Sequence, residues 1–81
     1  MARAPTVRVL VTTADRVVFD GSARSVVLPG EQGTFEVQPL HRPLMSRLLS
    51  GTIFIDRQGV PIRRGIMRVE LDVLTAVVEL P

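Results

Sequence analysis

Apolar and polar residues alternate along most of this 81-residue chain, and the period of the alternation is two. Residues 6–12 place Val7, Val9 and Val11 on one face of an extended segment. The same pattern is clearest near the C-terminus, in the order Met67, Arg68, Val69, Glu70, Leu71, Asp72 and Val73. A period of two predicts β-strands whose one face is buried and whose other face meets water.

Eight segments carry this strand pattern, and glycine or proline separates them at intervals of about ten residues. We predict strands at residues 6–12, 17–19, 23–28, 33–37, 52–56, 60–64, 67–73 and 75–80. The pairs Asp20–Gly21, Pro29–Gly30 and Gln58–Gly59 are predicted to form the turns. Only residues 44–49 have an apolar spacing that fits a helical turn or a packed loop.

The predicted fold is therefore all-β, a small flattened β-sandwich or barrel of about eight to ten short strands. Residues 1–81 are expected to form one domain, since a chain of this length has no room for a second core. With 46% hydrophobic and 22% charged residues, the composition is that of a folded globular chain. No run of 18 apolar residues occurs, so we expect no direct membrane insertion. We also expect the chain to be a monomer in isolation.

Few residues could carry chemistry. Cysteine is absent, which excludes disulfides and thiolate ligands, and His41 is the only histidine. His41 could act as a base toward Ser46, but no carboxylate can be nominated to orient it and no nucleophile motif surrounds the serine. We therefore expect no catalytic residues, no metal site and no cofactor.

The residues fit neither a phosphate site nor a site for single-stranded nucleic acid. Gly30 and Gly33 flank a short loop, but a phosphate-binding P-loop requires a lysine, and all ten basic side chains here are arginine. Single-stranded nucleic acid needs exposed aromatic side chains between basic residues, whereas this chain has three phenylalanines and neither tyrosine nor tryptophan. A protein-interaction module is the more economical hypothesis, with a nucleic-acid binder as a weaker alternative.

Several short motifs occur in a fixed order. They are Val18-Phe19-Asp20-Gly21, Val26-Val27-Leu28-Pro29-Gly30-Glu31-Gln32-Gly33, His41-Arg42-Pro43-Leu44, Leu48 with Gly51, and Gly65-Ile66 with Val69. Together they resemble the N-terminal β-sandwich domain of the epsilon subunit of F-type ATP synthases, which is called delta in mitochondria. The resemblance spans residues 7–80. It departs from the family pattern at several positions, and the glycine that precedes the family's histidine is Leu40 here.

The resemblance implies a non-catalytic subunit of the central stalk that couples gamma to the c-ring during proton-driven ATP synthesis. It implies a position at the cytoplasmic face of a bacterial inner or plasma membrane, held there through the complex. The expected c-ring contact consists of Pro29, Gly30, Glu31, Gln32, Gly33 and Thr34, and ring loops in this family commonly present an arginine. The expected gamma contact consists of His41, Arg42 and Ser46.

Family members commonly continue into a C-terminal helical hairpin, which inhibits ATP hydrolysis and in some cases binds ATP. This sequence stops at Pro81, directly after the last predicted strand. We expect a naturally short form that does not bind ATP, with a domain cut from a longer chain as the alternative.

Overall fold

The computed structural model describes residues 5–81, and nine β-strands occupy most of that range. Their bounds are β1 Val7–Thr12, β2 Val17–Ala23, β3 Val26–Gly30, β4 Gly33–Val37, β5 Leu44–Leu48, β6 Gly51–Ile55, β7 Gln58–Ile62, β8 Arg64–Glu70 and β9 Val73–Glu79. The prediction of an all-β fold with eight to ten short strands is confirmed. Within residues 5–81 there is no helix with the length and apolar character needed to cross a membrane.

The strands follow one another in the order β2-β1-β9-β8-β5-β3-β6-β7, and β4 pairs with β3 outside this path. All neighbours are antiparallel except β1 and β9, which run parallel. Only one residue pair, Gly30 with Leu48, joins β3 to β5. The sheet curls at this weak junction, so that β2-β1-β9-β8-β5 and β4-β3-β6-β7 form the two layers of a sandwich.

Both layers contribute to one apolar core. Val7, Val9 and Val11 are fully buried, as the alternation in residues 6–12 predicts. The remaining buried side chains are Ala23, Val26, Leu28, Val37, Leu48, Ile53, Ile55, Val60, Ile62, Met67, Val69, Leu74, Ala76 and Val78. No polar or charged side chain is buried in the part of the chain that the structure describes. Packing of aliphatic side chains is therefore the main source of stability.

The prediction of a helical turn or packed loop at residues 44–49 is wrong. Leu44 to Leu48 form β5, which pairs along its whole length with β8, from Leu44 opposite Val69 to Leu48 opposite Gly65. The local apolar spacing is overridden by this pairing, because a strand at this position satisfies the backbone of β8 and buries Leu48.

The long strand predicted at residues 67–73 is also wrong, because the chain reverses inside it. Leu71 and Asp72 form a two-residue turn between β8 and β9, with φ angles of 51° and 60°. Positive φ at both central residues is the signature of a type I′ hairpin turn, which usually contains asparagine or glycine. Leu71, expected to be buried, is 87% exposed, and Leu74 takes the inward position beyond the turn.

The predicted turn pairs lie inside strands. Asp20–Gly21 pair with β1, and Pro29–Gly30 pair with β4. Gln58–Gly59 likewise pair with β6. The reversals lie four residues later at Arg24–Ser25, two residues later at Glu31–Gln32 and two residues earlier at Asp56–Arg57.

The carboxylate of Asp56 explains two of these displaced turns. Its Oδ1 atom accepts hydrogen bonds from the amides of Arg24 (3.0 Å) and Ser25 (3.1 Å). Asp56 itself has φ of 53°, a conformation that aspartate tolerates better than most residues. One side chain therefore stabilises the β2–β3 connection and sits in the β6–β7 turn.

Candidate interaction surfaces

The first candidate surface is the β3–β4 turn, which we call the glutamate end and define by residues 31–34. Glu31, Gln32, Gly33 and Thr34 are exposed. Gly33 has φ of 111°, which residues with a β-carbon rarely adopt. The sequence therefore fixes a tight turn that presents one carboxylate, one amide and one hydroxyl to solvent.

Pro29 and Gly30, which belong to the expected c-ring contact, lie in β3 and are buried. A β-carbon on Gly30 would lie 2.8 Å from two ring atoms of Phe35. The aromatic ring therefore rests directly on the glycine backbone. These two residues shape the turn from beneath, and only residues 31–34 of the expected contact reach solvent.

An open cleft of about 460 Å³ runs between β4 and β5 beside this turn. Its walls are formed by the glutamate end together with Phe35, Leu44 and Ser46. The hydroxyl of Ser46 donates to the backbone carbonyl of Arg47 at 3.0 Å. The structure thus places Ser46, expected at the gamma contact, next to the residues expected at the c-ring.

His41 and Arg42 lie at the opposite end of the sandwich, in the loop from β4 to β5. β5 starts at this loop and runs toward the glutamate end, where Leu48 pairs with Gly30. In the same loop, Leu40 has φ of 67°, and its amide donates a 2.7 Å hydrogen bond to Oδ1 of Asp72. The positive φ explains why a glycine precedes the histidine in the family pattern noted above.

His41 and Arg42 are therefore separated from the glutamate end by β5, whereas Ser46, the third residue of the expected gamma contact, lies beside the glutamate end. We call the second surface the leucine end and define it by Leu40 and Leu71, the two most exposed large hydrophobic residues that the structure describes, at 88% and 87%. Turns of both layers meet at this end. The β2–β3 connection at Arg24–Ser25 and the β6–β7 turn at Asp56–Arg57 lie side by side there. A stiff sandwich with distinct groups at two ends can contact two partners simultaneously.

His41 and Ser46 are not brought together as a base and nucleophile. The Nδ1 atom of His41 lies 2.6 Å from the carbonyl oxygen of Arg42, so this ring nitrogen carries the proton and donates. Ser46 is likewise engaged with its own neighbour. No hydrogen bond joins the two side chains, and the geometry provides no catalytic pair.

The phenylalanines do not form a stacking platform for bases. Phe19 and Phe35 are partly buried against the core, and only Phe54 is substantially exposed, at 47%. Phe54 lies over Gly59, whose missing side chain leaves room for the ring. One exposed ring without aromatic neighbours does not match the repeated stacking that single-strand binding uses.

A third surface was missed by the sequence analysis. Met45, Ile66, Val73 and Val77 point away from the core on β5, β8 and β9 and are 46–64% exposed. With Arg68, Glu70 and Thr75 they line a shallow depression of about 460 Å³, and we call this surface the outer face. Apolar residues at the outward positions of β8 and β9 could have indicated this surface. The sequence did not predict it, because the turn at residues 71–72 was misplaced and β5 was not predicted as a strand.

Three ion pairs form among residues 5–81, and the side chains of all three are exposed. Arg8 pairs with Asp20, and Arg68 lies 3.8 Å from Glu70. The Arg64 guanidinium donates a 2.7 Å hydrogen bond to Glu79, which lowers the pKa of Glu79 and raises the pKa of Arg64. Within residues 5–81, Glu31 and Arg42 take part in no ion pair.

Known proteins match this chain over nearly all of the sandwich. The family model described as the β-sandwich domain of the ATP synthase delta/epsilon chain matches residues 6–79. The ATP synthase epsilon chain of Bordetella avium (strain 197N) is 39% identical over 70 residues, covering 80% of this chain and 50% of its own length. That of Bordetella petrii is 34% identical over 79 residues, covering 91% of this chain and 56% of its own.

A solved structure supports the fold. The chain is similar to one in the cryo-EM structure of the Tetrahymena thermophila mitochondrial ATP synthase, central stalk and c-ring. The TM-score is 0.77 at 13% identity, covering 96% of this chain and 66% of that one. This chain spans about half the length of the curated relatives described above.

Proposed function

Because the chain belongs to the ATP synthase delta/epsilon family through its β-sandwich domain, we propose that it is the epsilon-type subunit of a bacterial F-type ATP synthase. In this role it joins gamma to the c-ring in the central stalk and performs no chemistry itself. It is held at the cytoplasmic face of the membrane through the complex. The observation that carries the proposal is the match to the family over residues 6–79, which is the whole sandwich.

The geometry supports a coupling role in two ways. The interior is apolar throughout the described residues, and close-packed aliphatic interiors resist deformation, as transmission of torque requires. The glutamate end and the leucine end present different groups at opposite ends, which suits a subunit that lies between two partners. We assign the c-ring to the glutamate end, and gamma to the loop of His41 and Arg42.

The outer face adds a broad apolar surface on the side of the sandwich. Exposed Met45, Ile66, Val73 and Val77 are contributed by three adjacent strands, and contiguous exposed apolar surface commonly marks a protein contact. Ser46 lies on the same strand as Met45, so a partner that covers β5 also reaches this serine. We therefore extend the proposed gamma contact along β5.

Co-purification tests the proposal. An affinity-tagged form of this chain, expressed in its native host and extracted with the membranes, is expected to recover the other ATP synthase subunits. Recovery of a different protein complex would support a general interaction module instead. Recovery of nucleic acid, or of the chain alone, would contradict the proposal.

A further inference from the structure

Leu40 and Leu71 combine two unfavourable features. Each side chain is almost fully exposed, at 88% and 87%, and each backbone is left-handed, with φ of 67° and 51°. A left-handed conformation is unfavourable for any residue with a β-carbon, and asparagine or glycine adopts it more readily. An exposed side chain makes few contacts that could offset this strain.

A single exposed leucine would need no explanation, since isolated apolar residues are common on protein surfaces. These two, however, lie on neighbouring loops that a hydrogen bond connects. The Leu40 amide donates to Oδ1 of Asp72 at 2.7 Å, and Asp72 directly follows Leu71. The Asp72 carbonyl in turn accepts from the amide of Arg8 at 2.8 Å. The backbones of both leucines are therefore fixed before any partner arrives, which reduces the backbone entropy lost on binding.

The surroundings indicate what the partner presents. Leu40 is followed directly by His41 and Arg42, which belong to the proposed gamma contact. The exposed Arg42 has no ion-pair partner within residues 5–81, whereas the nearby Asp72 carboxylate is engaged by the Leu40 amide. An apolar pocket with an acidic group at its rim would complement the two leucines and the free guanidinium.

We infer that Leu40 and Leu71 form a paired apolar anchor that inserts into an acid-rimmed pocket of gamma. The inference rests on the proposed function and extends the gamma contact to the leucine end. It assigns binding roles to two residues that sequence reasoning left out. The strain in their backbone is retained because the leucine side chains are needed at the interface, as with other strained functional residues.

Asparagine substitutions separate this role from a structural one. Leu40→Asn and Leu71→Asn relieve the backbone strain, so each should raise the melting temperature of the isolated chain by about 4–8 °C. The double variant should nevertheless bind purified gamma from the same source at least about tenfold more weakly, as measured by calorimetric titration. A gain in stability together with a loss of affinity is not expected from residues that only support the fold.

Val17→Thr is the matched control. Val17 is also an exposed apolar residue, at 58%. It lies at the other end of the sandwich, and its backbone φ is not positive. This variant should bind gamma as the parent does. The inference is wrong if the double asparagine variant binds with the parent's affinity, or if either single variant melts at a lower temperature. Failure of the parent itself to bind gamma would instead contradict the proposed function, and the inference with it.

Discussion

The amide of Leu40 donates a 2.7 Å hydrogen bond to the carboxylate of Asp72, and this bond ties the β4–β5 loop to the β8–β9 turn. The two residues are 32 positions apart in the sequence. The bond therefore positions His41 and Arg42, which follow Leu40, relative to the layer that contains β8 and β9.

Removal of the Asp72 carboxylate should destabilise the chain. Asp72→Ala loses the acceptor and places alanine at φ of 60°, so we expect a loss of about 1–3 kcal/mol in the free energy of unfolding. Asp72→Asn keeps an acceptor oxygen and tolerates the same backbone, and should stay within about 0.5 kcal/mol of the parent. Urea melts measure both. Equal stability of the two variants would show that the side-chain hydrogen bond contributes nothing.

Leu71 and Leu74 form a matched pair that tests the position of the β8–β9 turn. Leu74 is fully buried, so Leu74→Ala should cost about 2–5 kcal/mol in the free energy of unfolding. Leu71→Ala removes a solvent-exposed side chain and should change it by less than about 0.5 kcal/mol. If Leu71→Ala instead costs more than Leu74→Ala, the uninterrupted alternation predicted from the sequence would be correct and the turn misplaced.

The hydrogen bond between Arg64 and Glu79 predicts a pH dependence. Because this bond lowers the pKa of Glu79, it stabilises the fold above the ordinary glutamate pKa, and the stabilisation is lost as the pH falls through the lowered value. Glu79→Gln should therefore unfold at slightly lower urea concentration than the parent at pH 7. As the pH falls through the lowered pKa of Glu79, the two midpoints should converge.

Both side chains of this pair are solvent-exposed, so the difference should be small and should shrink with added salt. Urea melts at several pH values provide the measurement, with Glu36→Gln as a control for removal of a carboxylate outside this ion pair. If the midpoints of the parent and Glu79→Gln differ as much in acid as they do at pH 7, the ion pair is not the cause of the difference.

The sequence predicted the strands well where the alternation runs through a whole strand without interruption. Val7, Val9 and Val11 were placed on the buried face, and residues 33–37 were predicted as the strand that β4 forms. The period of two depends only on side-chain direction in an extended chain, so it is visible in the sequence without knowledge of the partner strands.

The errors arose where a turn lacks typical turn residues or where pairing decides the structure. Leu71 adopts a conformation usually taken by asparagine or glycine, so the reversal there has no local signal. β5 is a strand because β8 pairs with it, which depends on residues about 20 positions away. The leucine end and the outer face depend on the β8–β9 turn and on β5. Neither surface could be predicted from the sequence without them.

Reversal of charge at Glu31 tests the assignment of the glutamate end. Glu31→Arg should weaken assembly onto the c-ring, since the resemblance implies an arginine in the ring loop and like charges repel. Glu31 is exposed, so the melting temperature of the isolated chain should hardly change. Asp15→Arg, the same charge reversal in the exposed β1–β2 turn, is the matched control and should assemble normally. A nucleic-acid binder would instead gain affinity from either added arginine.

Proton-driven ATP synthesis in reconstituted vesicles tests the central claim most directly. The vesicles would contain an ATP synthase depleted of this subunit, and the chain would be added back as the parent or as Glu31→Arg. We predict that the parent restores ATP synthesis in proportion to the amount bound and that Glu31→Arg restores much less at equal concentration. ATP synthesis that does not respond to the parent chain would contradict a coupling role in the stalk.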